Sequence, residues 1–108
     1  MQDKTQLSLW RIRSGKRAVW EAWCREVMSE HYAEAAETLR EEQLLREWCK
    51  IYTDGNTDYL VYLHVPEPGK EKLPATDRAL NRKHFEKFTE CLEEMTPLGD
   101  GYDISAPQ

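Results

Sequence analysis

Tyr59-Leu60-Val61-Tyr62-Leu63-His64-Val65 is the stretch on which the reading of the whole chain turns. Side chains alternate across a strand, so Tyr59, Val61, Leu63 and Val65 share one side while Leu60, Tyr62 and His64 share the other. Both sides are apolar or aromatic, which is the pattern of a strand covered on both faces. Just upstream, Asp54-Gly55-Asn56-Thr57 supplies residues that tolerate positive φ and make tight turns. Before that turn, Leu44 to Thr53 carries Leu45, Trp48, Cys49, Ile51 and Tyr52. The two segments form a β-hairpin. The loop can hold three or four residues, which leaves the register open, because a shift of one turns a side chain to the other face; with four, Thr53 faces Asp58 and counting outward sets Glu47 opposite His64.

The flanking chain supplies what must cover this hairpin. Thr5 to Ile12 alternates, with Leu7 and Leu9 on one face and Trp10 and Ile12 on the other, and stops at Ser14-Gly15: a first strand. Lys16 to Glu42 contains no proline or glycine, and Val19, Trp20, Trp23, Val27, Ala35 and Leu39 recur at helical spacing. This predicts one long helix or two in series, with a break near Ser29, where a serine can cap a second helix. Pro66-Glu67-Pro68-Gly69 stops the second hairpin strand. Thr76 can cap a further helix whose stripe runs Ala79, Leu80, His84, Phe88, Cys91, Leu92, Met95 and ends at Thr96-Pro97. Glu90, Glu93 and Glu94 read as its solvated side. A short last strand is predicted at Tyr102 to Ile104, and 105–108 as a frayed tail.

A chain of 108 residues closes one hydrophobic core, so 1–108 reads as a single domain with its core at about 5–104. Apolar residues at 40% and mixed-sign charges at 32% fit a folded globular protein. The net charge of −5 argues against a nucleic-acid partner, which would require gathered lysines and arginines. Arg11, Arg13, Lys16 and Arg17 do cluster, but around a turn and ahead of an acidic helix, so they read as a solvated loop. Cys24, Cys49 and Cys91 are odd in number and far apart, and read as small buried hydrophobes. No apolar run reaches membrane-spanning length and no signal peptide opens the chain, so no membrane role is expected and the cytoplasm is the expected location.

Strand, helix, strand, strand, helix, strand is the split βαβ order of ferredoxin-like folds, an α+β class in which helices cover one face of a four-stranded antiparallel sheet. The other face is left bare. It would carry half of Tyr59 to Val65 and either Trp48 and Tyr52 or Cys49 and Ile51, more apolar surface than a monomer exposes. The expected cover is a second copy, sheet against sheet about a two-fold axis.

Trp10-Arg11-Ile12-Arg13-Ser14-Gly15-Lys16, the tryptophan-bearing helix, the acidic Ala33 to Glu42, the hairpin and Tyr102-Asp103-Ile104 resemble a family of short bacterial proteins of unknown function. In layout that family is similar to the dimeric α/β-barrel superfamily, including rhamnose-mutarotase-like proteins and antibiotic-biosynthesis and haem-degrading monooxygenases. The resemblance implies a dimer whose two sheets form a barrel, with a ligand cavity between each subunit's sheet and helices. Mutarotase-like members use a histidine and tyrosines around the first helix. Here that helix holds Trp20, Trp23 and Cys24, and no histidine precedes His31.

No motif specifies a chemistry. His84 lies in line with Leu80, Phe88 and Cys91, and is either a general acid/base or axial ligand in a cavity, or a hydrogen-bonded core histidine. His64 and Tyr62, with Glu47 across the hairpin, form either a proton-transfer cluster or an intersubunit pair. Trp20, Trp23, Trp48 and Phe88 are candidate ligand-lining residues, or core. The histidines and carboxylates lack metal-ligand spacing, so neither metal nor cofactor is expected. The leading expectation is a homodimer that binds a small apolar or aromatic molecule. Its alternatives are an isomerase- or monooxygenase-type enzyme using His84, His64 and Tyr62, and a structural or regulatory dimer with a filled core.

Overall fold

A computed structural model describes residues 5–108. The elements run β1 (Gln6–Ile12), α1 (Arg17–Met28), α2 (Tyr32–Glu41), β2 (Leu44–Asp54), β3 (Thr57–Pro66), α3 (Ala79–Cys91) and β4 (Leu92–Thr96). The strands form one antiparallel sheet in the order β2-β3-β1-β4. The class is α+β, with three helices and four strands.

The hairpin takes the register that four loop residues would give, of the two the sequence leaves open, with Thr53 paired to Asp58 and Glu47 to His64. Its loop is shorter than the three or four residues expected, because Asp54 also pairs with Thr57 and leaves Gly55 and Asn56 at the turn. Gly55 takes φ +63 there, as a two-residue turn with glycine at its first central position requires. The register of β1 on β3, Leu9 to Val61 and Trp10 to Leu60, fixes what each face carries. Trp10, Ile12, Leu60, Tyr62, His64, Glu47, Cys49 and Ile51 point toward the helices. Leu7, Leu9, Tyr59, Val61, Leu63, Val65, Trp48 and Tyr52 point away. Within one chain the strand is therefore covered on only one face: Leu60 is 0% exposed, whereas Leu7 and Tyr52 on the open face are 51% and 53% exposed.

The helical stretch does divide near Ser29, but Ser29 closes α1 instead of starting α2. Its hydroxyl donates to the Arg25 carbonyl at 2.6 Å, and His31 occupies the N-cap of α2. Thr76 likewise is not a cap: its hydroxyl donates to Glu41, and α3 begins at Ala79 after Arg78.

The largest departure is the last strand. The helix ends at Cys91, and the next residue already belongs to β4, with Leu92 paired to Ile12 at the edge of β1. Cys91 and Leu92 are both buried, so the chain passes straight from the helix layer into the sheet. Glu93 and Glu94 lie on this strand, not on a solvated helix face, and meet Arg11 and Arg13. Tyr102 to Ile104 is exposed and has no regular structure. The basic loop is likewise ion-paired, Lys16 to Glu90 and Arg17 to Asp58.

The core is Ile12, Trp20, Trp23, Leu60, Tyr62, Leu80, Cys91 and Leu92, with Trp10 and Phe88 against it. A strap after β3 is tied to the α2–β2 turn by Glu67 N–H to Gln43 O and Leu73 N–H to Glu42 O. Lys72 pairs with the buried Glu42 at 2.9 Å.

Candidate functional site

Five side chains from four elements converge in the layer between sheet and helices. Tyr62 and His64 come from the helix-facing side of β3, and Glu47 reaches them because it pairs with His64 in the hairpin. Trp23 comes from the buried stripe of α1 and His84 from that of α3. Trp23 Nε1–H lies 3.0 Å from His84 Nδ1, His84 Nε2 lies 3.0 Å from Tyr62 Oη, and Tyr62 O–H donates to Glu47 Oε2 at 2.8 Å. His64 Nε2 lies 3.1 Å from Glu47 Oε1.

The direction of every bond in this chain follows from its first member. An indole N–H can only donate, so His84 Nδ1 must accept, and the imidazole is the neutral tautomer with its proton on Nε2. That proton faces Tyr62 Oη, which accepts it and passes its own proton toward Glu47. The carboxylate, which can only accept, ends the chain and also takes the His64 donor. Burial pushes His84 below the usual imidazole range, outweighing the Glu47 and Glu42 carboxylates that favour its charged form. Burial acts in the opposite sense on Glu47, but the hydrogen bond and charge of His64, with the Tyr62 hydroxyl, hold it below the usual carboxylate value. Tyr62 is pushed well up, first by burial and then by the adjacent carboxylate.

The chain is graded in exposure. Tyr62 and Trp23 are 5% and 2% exposed, whereas the His64 and Glu47 side chains retain 20% and 26%. Solvent therefore meets the network at its carboxylate end, and His84 is also half-buried. The His64 ring stacks on Tyr62 at 4.8 Å, which fixes the rim imidazole.

Of the residues singled out from the sequence, His84, His64 and Tyr62 are brought together, and Trp20, Trp23 and Phe88 surround them. Phe88 sits edge-on to Trp10 at 4.6 Å. Trp48 does not join: it stands on the open face under the Lys50 ammonium. Trp23's part as hydrogen-bond donor to His84 was not legible, since a tryptophan at helical spacing reads as core whichever way its N–H points. His31 is half-buried against the Trp23 ring at 5.8 Å, less exposed than its place at a helix break suggests. Among the described residues, no group of three His, Cys, Asp or Glu side chains is arranged to hold a metal ion. A broad depression beside the start of α3, lined by Ala75, Thr76, Asn81 and Phe85, contains none of the candidates.

Residues 3–102 match the model of a family of unknown function, DUF6176. The chain belongs to that family. No curated protein and no solved structure matches it. Among the described residues no helix is long and apolar enough to cross a membrane.

Proposed function

We propose that this DUF6176 protein is a homodimer of ferredoxin-like subunits that binds a small apolar or aromatic molecule at the rim formed by Glu47 and His64. The observation that carries the reading is the one-way hydrogen-bond chain from Trp23 through His84 and Tyr62 to Glu47. Its interior members have their partners, while the terminal carboxylate keeps free lone pairs and partial access to water. A hydroxyl on the ligand would donate to Glu47 while its apolar body meets the surrounding aromatic layer. Trp23 and His84 act from behind as positioning residues, and Trp20 and Phe88 form the wall. The strand order, read as β4-β1-β3-β2 with every neighbour antiparallel, supports the ferredoxin-like assignment. The open face, with Leu9, Trp48, Tyr59, Val61, Leu63 and Val65 all short of full burial, supports sheet-to-sheet pairing into a dimeric α/β barrel. Three free thiols support a reducing compartment, the cytoplasm.

A second reading, an isomerase- or monooxygenase-type enzyme, is favoured by the same chain. Glu47 and the His64 imidazole lie at the partly exposed end of the chain, where they could exchange a proton with a bound molecule while Tyr62 and His84 hold the carboxylate in place. Binding is tested by NMR titration with simple phenols. The Trp23 indole N–H and His64 imidazole resonances should shift saturably, and Glu47→Gln should weaken binding while leaving the spectrum of the folded chain intact. Unperturbed resonances across a panel of phenols would leave a dimer with a filled core as the function.

A further inference from the structure

Strand register shows where the exposed C-terminal segment is aimed. Thr96 pairs with Leu9, Leu9 with Val61 and Val61 with Lys50, so these side chains lie in one line across the open face, from the β4 edge to the β2 edge. The next line runs from Leu7 through Leu63 to Trp48, and Arg46 stands one step beyond Trp48. Because β4 is antiparallel to β1, the chain leaving Thr96 heads toward this Trp48 and Arg46 end of the sheet. Pro97 takes it off the ladder, having no N–H to donate.

Beyond that point nothing covers the chain. Residues 97–108 have no regular structure and are exposed throughout, yet Leu98, Tyr102 and Ile104 are large apolar side chains at 48%, 89% and 80% exposure. The same segment carries Asp100 and Asp103, neither of them ion-paired among the described residues.

Charges on the open face divide by edge. On the β4 side Arg11 is met by Glu93 and Glu94. On the β2 side Arg46 and Lys50 flank the partly exposed Trp48. Lys50 lies over its indole at 5.4 Å, and neither cation has a carboxylate partner among the described residues. A second copy seated on this face can be related by a two-fold axis in either of two directions. An axis across the strands lays β2 on β2 and brings the two basic edges together, which like-charge repulsion opposes. An axis along the strands reverses their order but keeps each line at its own level, so β2 of one copy lies over β4 of the other. Thr96 then stands over Lys50.

We infer that residues 97–104 are an arm that docks on the β2 edge of a second copy, with Leu98 against Trp48 and Asp100 against Arg46. The inference rests on the sheet-to-sheet pairing proposed above and names the edges that meet. Thr96, Leu98 and Asp100 advance by the same two-residue step as Lys50, Trp48 and Arg46, so an extended arm matches each in turn. Each arm brings an apolar side chain to the indole and a carboxylate to the unpaired guanidinium, and the two-fold axis repeats both contacts. The arm thereby favours the axis along the strands over the axis across them.

The test mixes isotope-labelled and unlabelled full-length chain and records filtered NOE spectra, in which only contacts between chains appear. The expected cross-peaks join the Leu98 methyl groups of one chain to the Trp48 indole of the other. Asp100→Arg and Arg46→Asp should each weaken dimerisation about tenfold by sedimentation equilibrium, and the two together should restore it, because the reversed pair attracts again. Both positions are exposed, so neither change should alter the circular dichroism. The inference is overturned if the filtered spectra set Trp48 against β2 of the other chain, if the Leu98 methyl groups make no contact between chains, or if the double variant associates no better than the weaker single one. A dimer that gives any of these results keeps the sheet pairing and loses the arm. A species of 12.7 kDa at every concentration removes both.

Discussion

Replacing Tyr62 by phenylalanine isolates the polar chain from the packing around it. The ring is kept, so no cavity opens, and only the hydroxyl that joins His84 to Glu47 is lost. Two partly buried partners are then left short: the His84 Nε2–H loses its acceptor at 3.0 Å, and Glu47 Oε2 loses its donor at 2.8 Å. A hydrogen bond to a charged group contributes about 1.5–3 kcal/mol and a neutral one about 0.5–1.5 kcal/mol, so the expected loss is about 2–4.5 kcal/mol. For a chain of this size that corresponds to a fall in Tm of about 8–18 °C. The assay is urea unfolding at fixed protein concentration, with the denaturant slope unchanged. Tyr52→Phe, on the exposed open face, should stay within about 0.5 kcal/mol and serves as the control. A Tyr62→Phe loss as small as that control would refute the argument, because the interior would then supply His84 and Glu47 with other partners.

Stability should fall as the solution is acidified from about pH 8 to about pH 5.5. The unfolded chain protonates the histidine at its ordinary 6.5 whereas folded His84 resists, so over this interval the native state binds fewer protons. Glu47 adds a further loss at lower pH, below the ordinary carboxylate value, and urea midpoints that do not change with pH would contradict both. Leu60→Ala, at a site with 0% exposure between β1 and β2, should cost about 2–5 kcal/mol by denaturant unfolding, and a cost near zero would show that the site collapses without a void. If the sheets pair as proposed, Leu63→Lys on the open face should leave the circular dichroism unchanged and reduce the light-scattering mass to the 12.7 kDa of one chain. A species of twice that mass would place the dimer interface elsewhere.

The hairpin was legible because its signals are local and agree: turn residues at Gly55 and Asn56, and alternation on both sides. The same alternation puts Tyr62 and His64 on one face, but Glu47 joins them only in one of the two registers that the sequence allows, and it is the pairing of Asp54 with Thr57 that selects it. The last strand was not legible, for the converse reason. Leu80, His84, Phe88, Cys91, Leu92 and Met95 keep helical spacing, and nothing in that run announces that the helix must stop. What stops it is distant in sequence. The edge of β1 pairs Ile12 with Leu92, the Arg13 N–H donates to the Cys91 carbonyl at 2.7 Å, and Arg11 and Arg13 attract Glu93 and Glu94. Edge pairing and the burial of Leu92 outweigh the helical preference of Leu92, Glu93, Glu94 and Met95.

The polar chain also has a structural consequence that bears on how its two roles separate. If β2 slipped by one residue on β3, Glu47 would turn to the open face, and Tyr62 and His64 would lose their acceptor while still facing the core. The open face is itself apolar, so hydrophobic patterning discriminates weakly between the two registers, and the hydrogen-bonded carboxylate adds a preference that patterning alone does not. The interior bonds, Trp23 to His84 and His84 to Tyr62, therefore serve stability and register. Under the proposed function a ligand meets the outer pair, Glu47 and His64. His64→Gln should consequently disturb phenol binding more than folding, because its ring lies at the exposed end and Tyr62 still donates to Glu47. Trp23→Phe should do the reverse, stranding His84 Nδ1 and lowering stability while leaving the rim pair in place. Measured together by urea unfolding and NMR titration, the two variants should move opposite observables, and equal effects on both would mean that the chain acts as one unit from core to rim.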